Sequence, residues 1–295
     1  MLCDGGLMSV LETLLSEVSE DRSSGSSEIY SRLLLGLEKA LADSPSCQDW
    51  KRFSEGLSKV KRSMAPLQNV AGSLKVLLEA KIPEEQLNGF VKGFLVDLIG
   101  REERAATVIA KMVWKEHRPR KVVTLSYSGT VLAALLVMPR EIEVSVAESL
   151  PLGEGAVTYR RLAEKGLKVS LFRDAMIPGE VAGADLVLVG ADGVCPEGVV
   201  NKVGTLALAL AAGEAGVPMV VLCSTSKLIP VLDLDPAASS RTLEGLLYRE
   251  RLFEATPLHL IRSIITEEGV VSGEEMQKRL LRDRGKMNEA ECHYG

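Results

Sequence analysis

The chain has 295 residues, of which 46% are hydrophobic and 25% charged, and its formal net charge is −5. This is the balance of a globular protein that is long enough for two domains. The negative charge argues against indiscriminate binding to nucleic acid, and an aromatic content of 4% argues against a platform on which bases stack. No apolar run approaches the roughly 20 residues that span a bilayer, so no membrane partner is expected.

The beginning of the chain and its cysteines restrict the compartment and the cofactors. The first residues carry Asp4 and no basic flank, which predicts a cytoplasmic protein without a signal peptide. The cysteines lie far apart, with no CxxC pair and no histidine at metal-ligand spacing: Cys3, Cys47, Cys195, Cys223 and Cys292. We expect reduced thiols and no metal site. Neither GxGxxG nor the P-loop pattern is present, so no cofactor is predicted.

The N-terminal part of the chain repeats apolar side chains at the spacing of amphipathic helices. Ser26 or Ser27 is expected to N-cap the second helix, with Glu28 in its first turn. The last helix of this part is expected from residue 83 to about residue 114. The sequence therefore predicts a helical N-terminal domain, which we place at residues 1–117.

The pattern changes near residue 118, where short apolar runs begin to alternate with helical patterns. The predicted strands are 121–125, 143–147, 168–172, 186–189, 219–222 and 263–266, and the predicted intervening helices include 131–136, 156–165 and 206–215. Continuous Val and Leu strands separated by helices indicate a parallel sheet covered on both faces. With right-handed crossovers, the predicted fold class is α/β, with a doubly wound, Rossmann-like domain at residues 118–295.

Ligands of such sheets bind outside the carboxyl ends of the strands. The first strand leads into Ser126-Tyr127-Ser128-Gly129-Thr130 and then a helix. Hydroxyls, a flexible glycine and free N–H groups at a helix start predict that Ser128, Gly129 and Thr130 bind an anion. The alternative is that Ser128 or Thr130 only caps the helix.

The next two strand ends carry acids. Glu148 and Glu154 follow the second strand among glycines, which suits hydrogen bonding to a polyol, although acids in loops are usually only solvated. Asp174 follows the third strand and is expected either to cap the following turn or to face the cleft.

The stretch after the fourth strand is the richest in polar groups. Asp192 lies just beyond the end of this strand, where a general acid or base could act on a ligand in the cleft. Asn201 and Lys202 are followed by Gly204 and Thr205 at a predicted helix start, so a cation and N–H donors suit a phosphate. We therefore expect a phosphorylated small molecule to bind between this segment and the loop 126–130.

These residues carry a resemblance to the initiation factor 2B alpha/beta/delta family, which includes methylthioribose-1-phosphate isomerase and ribose-1,5-bisphosphate isomerase. The matching segments are 21–28, 63–67, 126–130, 148–155, 190–192, 201–205, 256–257 and 264–267. The resemblance implies two domains and a homo-oligomer, a dimer or higher, formed through the α/β domain. We expect the interface near the apolar stretches 218–222 and 261–265, and the family name suggests translation initiation factor 2 as a partner.

Two positions depart from the isomerase members of that family. The resemblance places a catalytic cysteine where this chain has Ser126, and an arginine that holds phosphate where it has Leu150. A serine hydroxyl is far less acidic than a thiol, and leucine cannot hold a phosphate bidentately. Asp192, Asn201 and Lys202 do match the isomerase pattern.

The serine-containing loop resembles the non-enzymatic, archaeal-type members more closely. The sequence therefore favours a regulatory or binding protein with a pocket for a sugar phosphate or nucleotide. One alternative is an aldose–ketose isomerase of a sugar 1-phosphate, in which Asp192 and Ser126 would be the catalytic residues. The other is an assembly subunit whose pocket is vestigial.

Overall fold

The computed structural model describes residues 9–21, 25–80, 82–233, 239–243 and 245–293. Expectations that concern Asp4, Cys3 or the side chain of Cys292 lie outside the described part, as does the stretch 22–24. Among the described residues, no helix is both long enough and apolar enough to cross a bilayer.

The N-terminal region is helical, as predicted. Its helices are α1 (Val10–Glu20), α2 (Ser26–Ala40), α3 (Cys47–Leu57), α4 (Ala65–Glu79) and α5 (Glu84–His117). The predicted serine N-cap of α2 is wrong, because Gly25 holds that position and Ser26 and Ser27 lie inside the first turn with Glu28. The hydroxyl of Ser26 accepts a hydrogen bond from Lys227 instead.

The longest helix, α5, connects two hydrophobic cores. Its first half packs with the helical region, whose largest fully buried side chains include Tyr30, Leu33, Leu37, Trp50, Leu57, Leu67 and Leu74. Its second half packs under the sheet through Ala105, Ile109 and Val113. Since one helix contributes to both cores, the division into domains at 117 and 118 stays a prediction.

The C-terminal region is built around a mostly parallel seven-stranded sheet. The strands of the region are β1 (Lys121–Leu125), β2 (Glu143–Ala147), β3 (Lys168–Phe172), β4 (Leu186–Val189), β5 (Gly193–Cys195), β6 (Gly198–Lys202), β7 (Met219–Leu222), β8 (Ser239–Leu243), β9 (Leu246–Glu250), β10 (Phe253–Thr256), β11 (Ser263–Thr266) and β12 (Gly269–Val271). The central sheet has the order β3-β2-β1-β4-β7-β11-β12, with β12 antiparallel at one edge. The predicted α/β fold class is confirmed.

Helices cover both faces of this sheet. They are α6 (Gly129–Leu136), α7 (Gly155–Glu164), α8 (Ile177–Glu180), α9 (Thr205–Ala215) and α10 (Gly273–His293). Successive residues of a strand point to opposite faces, so Val122 belongs to the core that includes residues of α5, α6 and α7, and Val123 to the core that includes residues of α8, α9 and α10. This explains why the strands are apolar throughout.

The apolar stretches chosen as a dimer interface, 218–222 and 261–265, are not surface features. They contain β7 and β11, whose hydrophobic side chains are almost fully buried between the two helical layers. Their apolar character reflects their interior position in a parallel sheet, so it is no sign of an interface at these stretches. The position of an interface within the α/β region stays a prediction.

A small antiparallel sheet follows β4 and was not predicted. It has the order β10-β6-β5, and a separate hairpin pairs β8 with β9. The hairpin of β5 and β6 returns Asn201 and Lys202 toward the end of β4, with the backbone of Asp192 donating to Val200. The short Val-containing strands around Pro196 and Glu197 were the available sequence signal for it.

The strand order creates a crevice at one place. The chain passes from β1 outward through β2 to β3, and then returns to place β4 on the other side of β1. The connections that leave β1 and β4 therefore diverge, which is where doubly wound sheets bind ligands. The loop 126–130 and the segment 190–192 both begin at this point.

Candidate functional site

A cavity of about 480 Å³ opens at the crevice between β1 and β4. Of the residues proposed as ligands or catalysts, it is lined by Ser126, Ser128, Gly129, Glu154, Asp192, Asn201 and Lys202. Thr130, Glu148, Gly204 and Thr205 do not line it. The structure thus brings most of the proposed residues to one cavity and places four elsewhere.

The backbone of Ser126 adopts a left-handed conformation, with φ 62°. Its N–H donates to Ser149 Oγ at 2.7 Å, and its carbonyl accepts from Thr158 Oγ1 at 2.7 Å. Non-glycine residues held in this region store strain and occur disproportionately at functional sites. The side chain of Ser126 is turned toward Glu154, whose Oε1 lies 3.4 Å from the hydroxyl.

Ser128 is both a helix cap and a lining residue. Its hydroxyl accepts from Val131 N at 3.4 Å as the N-cap of α6, which is the simpler of the two predicted roles. The end of β4 approaches it so closely that a Cβ on Gly190 would lie 2.5 Å from Ser128 Oγ. Glycine at 190 therefore allows the two strand ends to meet.

Asp192 is buried, with a residue exposure of 8%, on the loop between β4 and β5. Its carbonyl accepts from Ala65 N at 2.9 Å, which ties the start of α4 to the sheet. Its carboxylate accepts a hydrogen bond from Ser26, whose oxygen in turn accepts from Lys227 Nζ at 2.5 Å. Residues far apart in the sequence thus converge on one carboxylate.

Burying the charged form of Asp192 costs free energy. Burial is the largest influence and raises the pKa of its carboxyl, while Lys227 and the hydrogen bond from Ser26 lower it. Glu154 raises the pKa further and Lys202 lowers it. A carboxyl with a raised pKa in a cleft is a candidate functional group, because it can hold or release a proton nearer to neutral pH.

Lys202 points into the cavity from the end of β6 but does not stand alone. Its side chain is only 3% exposed, and Nζ lies 3.0 Å from Glu154 Oε1 and 3.1 Å from Oε2. Glu154 directly precedes α7 and is the acid nearest to this ammonium. Glu154, which was predicted to bind a polyol, is therefore the ion-pair partner of Lys202, which was predicted to bind a phosphate.

The start of α9 is already occupied by a carboxylate. Gly204 N and Leu206 N donate to Glu254 Oε1 at 2.8 and 2.9 Å. The hydroxyl of Thr205 donates to the carbonyl of Lys202 and accepts from Asn201. The structure therefore gives Gly204 and Thr205 a structural role as a capped helix start, because Glu254 on β10 satisfies the N–H groups that were expected to face an anion.

The acids of the loop after β2 also have partners inside the protein. Glu148 pairs with Arg173 at 2.5 Å. Asp174 accepts from the N–H groups of Ser149 and Leu150 at 2.6 and 2.8 Å, so it caps this earlier turn. The sequence had predicted a cap of the turn that follows Asp174 or a position in the cleft, and Asp174 does not line the cavity. The side chain of Leu150 is half exposed and does not line the cavity.

The helical region closes the other side of the cavity, which the sequence interpretation missed. Ser26, Glu28 and Lys61 are among its lining residues. Tyr127 Oη donates to Glu28 Oε1 at 2.9 Å, and burial together with that bond raises the pKa of Tyr127. The segments 21–28 and 63–67, which carry part of the family resemblance, were the available signal for this contribution.

The comparisons with known proteins agree with this architecture. Residues 24–273 match the model of the initiation factor 2 subunit family. A Pyrococcus horikoshii protein that bears the provisional name translation initiation factor eIF-2B subunit 2-like is 30% identical over 89% of this chain and 96% of its own. The ribose 1,5-bisphosphate isomerase of Archaeoglobus fulgidus is 34% identical over 46% of this chain and 47% of its own.

Solved structures give the same result. The translation initiation factor eIF-2B of Pyrococcus horikoshii OT3 superposes with a TM-score of 0.77 at 28% identity, over 90% of this chain and 98% of that one. A chain of the tetrameric eIF2B-beta2-delta2 complex of C. thermophilum gives 0.70 at 16% identity, over 91% and 92%. The protein belongs to the initiation factor 2 subunit family, whose relatives include both initiation-factor-like proteins and sugar-phosphate isomerases.

Replacing Asp192 by asparagine is expected to stabilise the fold at neutral pH. The folded-state pKa of this carboxyl lies above its ordinary value of 3.8, so its ionisation opposes folding at every pH above that value. Urea unfolding of Asp192→Asn at pH 7 should therefore give a larger unfolding free energy than the wild type, and the gain should vanish as the pH falls below about 4.

Asp185→Asn is the matched control with the opposite sign. Hydrogen bonds from the N–H groups of Lys121 and Arg120 lower the pKa of Asp185, so this substitution should destabilise the fold at pH 7. Equal or lower stability of Asp192→Asn at pH 7 would contradict the raised pKa of Asp192.

Proposed function

We propose that this chain is a regulatory or binding member of its family, and that the cavity holds a phosphorylated small molecule such as a sugar phosphate or a nucleotide. The supporting observation is the convergence of Lys202, Asn201 and the strained loop at Ser126 on one cavity of about 480 Å³. A cavity of this size is in the range of small-molecule sites, about 300–1,000 Å³. Ammonium, amide and hydroxyl donors suit a phosphoryl group.

The chemistry around Ser126 supports binding over isomerisation. An aldose–ketose isomerase must move a proton between neighbouring carbons, or a hydride, with an acid and a base on either side of the substrate. Asp192 can provide one of these groups. The other group would have to be Ser126. Its hydroxyl lies 3.4 Å from Oε1 of Glu154, and that carboxylate also pairs with Lys202. The described residues that line the cavity include no histidine or cysteine to replace it.

Lys202→Ala is expected to weaken binding of ribose 1,5-bisphosphate by about 1.5–3 kcal/mol, the contribution of a charge-assisted hydrogen bond. Isothermal titration calorimetry measures this loss of affinity, for ribose 1,5-bisphosphate and for any sugar phosphate or nucleotide that a thermal-shift screen identifies as a ligand. Lys202→Arg should retain part of the affinity because it keeps the charge. Lys168→Ala, on the exposed edge strand, is the control and should bind as the wild type does. Unchanged affinity of Lys202→Ala would refute the placement.

The unmodified protein is expected to show no appreciable isomerase turnover with methylthioribose 1-phosphate or ribose 1,5-bisphosphate, even where these bind. The reason is the missing acid or base at Ser126. Ser126→Cys combined with Leu150→Arg is expected to give weak activity beside the existing Asp192, as detected by product analysis. Ready turnover by the wild type that is lost in Asp192→Asn would instead establish an isomerase, the alternative that the Archaeoglobus relative favours.

We further propose that the protein forms a homo-oligomer and that translation initiation factor 2 is its macromolecular partner. The C. thermophilum relative, whose subunits form a tetrameric complex, supports the assembly. Sedimentation equilibrium at micromolar concentration should give at least twice the chain mass of 31.8 kDa. A monomer under those conditions would contradict the assembly.

A further inference from the structure

The ammonium that the proposed phosphate site depends on is already neutralised in the structure. Both carboxylate oxygens of Glu154 lie within hydrogen-bond distance of Lys202 Nζ, at 3.0 and 3.1 Å. This is the fork-like approach that two oxygens of a phosphoryl group would make to the same cation. A phosphoryl group and Glu154 would therefore compete for one position.

Burial decides which partner can move. The side chain of Lys202 is 3% exposed, whereas that of Glu154 is 19% exposed at the rim of the cavity. The carboxylate can turn toward solvent, and the ammonium cannot leave the interior. Beside Glu154, Gly153 has a positive φ, and no atom lies within 4 Å of the position of a Cβ there, so the outer side of the loop is open.

A counter-ion is needed at this place when the site is empty. A buried ammonium without a partner destabilises a fold strongly, because its lost hydration is not replaced. Once a doubly charged phosphoryl group has bound, the same carboxylate becomes a like charge close to the ligand. Glu154 thus stabilises the empty site and opposes the occupied one.

We propose that Glu154 limits the affinity of the site for phosphoryl dianions: it is an internal counter-ion that holds Lys202 in the empty protein and must be displaced by the ligand. This inference rests on the proposed phosphate pocket and assigns the limit on its affinity to one residue. It replaces the expectation that Glu154 binds the hydroxyls of a polyol.

The test is Glu154→Gln, which keeps the size of the side chain and its hydrogen bond to Lys202 but removes the competing charge. In calorimetry, inorganic phosphate and ribose 1,5-bisphosphate should bind Glu154→Gln about tenfold more tightly than the wild type. Glu180→Gln is the matched control, since Glu180 forms an equally close ion pair with Lys121, at 3.0 Å, but does not line the cavity. Its affinity should change by less than about twofold.

Thermal unfolding separates this role from a merely structural one. Without phosphate, Glu154→Gln should melt below the wild type because Lys202 has lost its counter-ion, and saturating phosphate should raise its melting temperature more than that of the wild type. Equal or weaker phosphate affinity in Glu154→Gln, or a lower melting temperature that phosphate does not restore, would overturn the inference.

The two proposals fail in different ways. If the wild type binds phosphate in a manner that requires Lys202, and Glu154→Gln binds no more tightly, only the role of Glu154 is refuted. If neither protein binds any phosphorylated probe, or if binding survives Lys202→Ala, the phosphate pocket is refuted and the role of Glu154 with it.

Discussion

A buried carboxylate needs compensation, and the structure around Asp192 is arranged to provide it. Lys227 supplies the opposite charge, and Ser26 is placed between the two as a hydrogen-bond partner of each. Since Ser26 is the first residue of α2, the compensation extends to the helical region. The backbone of the same aspartate also holds the start of α4. The contacts that compensate this buried charge thus join the helical region to the sheet region.

The cavity exists because those two halves meet. The sheet supplies the strand ends of β1 and β4, and the helical region supplies the opposite wall, held by Tyr127 on Glu28 and by the contacts of Asp192. Neither region alone encloses the space. The pair of Lys202 and Glu154 then fills the polar end of the cavity with compensated charge, so that the empty protein buries no lone ammonium there.

The relatives cover two different activities, and the site explains why the fold does not decide between them. Family members are described as initiation-factor-like proteins and as sugar-phosphate isomerases. Asp192, Asn201 and Lys202 stand at the cavity in this chain, while Ser126 offers only a hydroxyl. A shared scaffold can carry either role, because function depends on the few groups at the site and not on the architecture.

The sequence alone determined the α/β class, the helical N-terminal region, each strand of the central sheet except β12, and the position of the cleft, because apolar periodicity and strand-end chemistry are local properties. It did not reveal the small sheet of β5, β6 and β10, whose short strands carry little periodicity. Only the tertiary structure decided that Glu254 caps the start of α9, that Glu154 pairs with Lys202, and that the charge of Lys227 compensates that of Asp192. These are contacts between residues far apart in the sequence. Whether a side chain is available to a ligand depends on which distant residue contacts it in the folded protein.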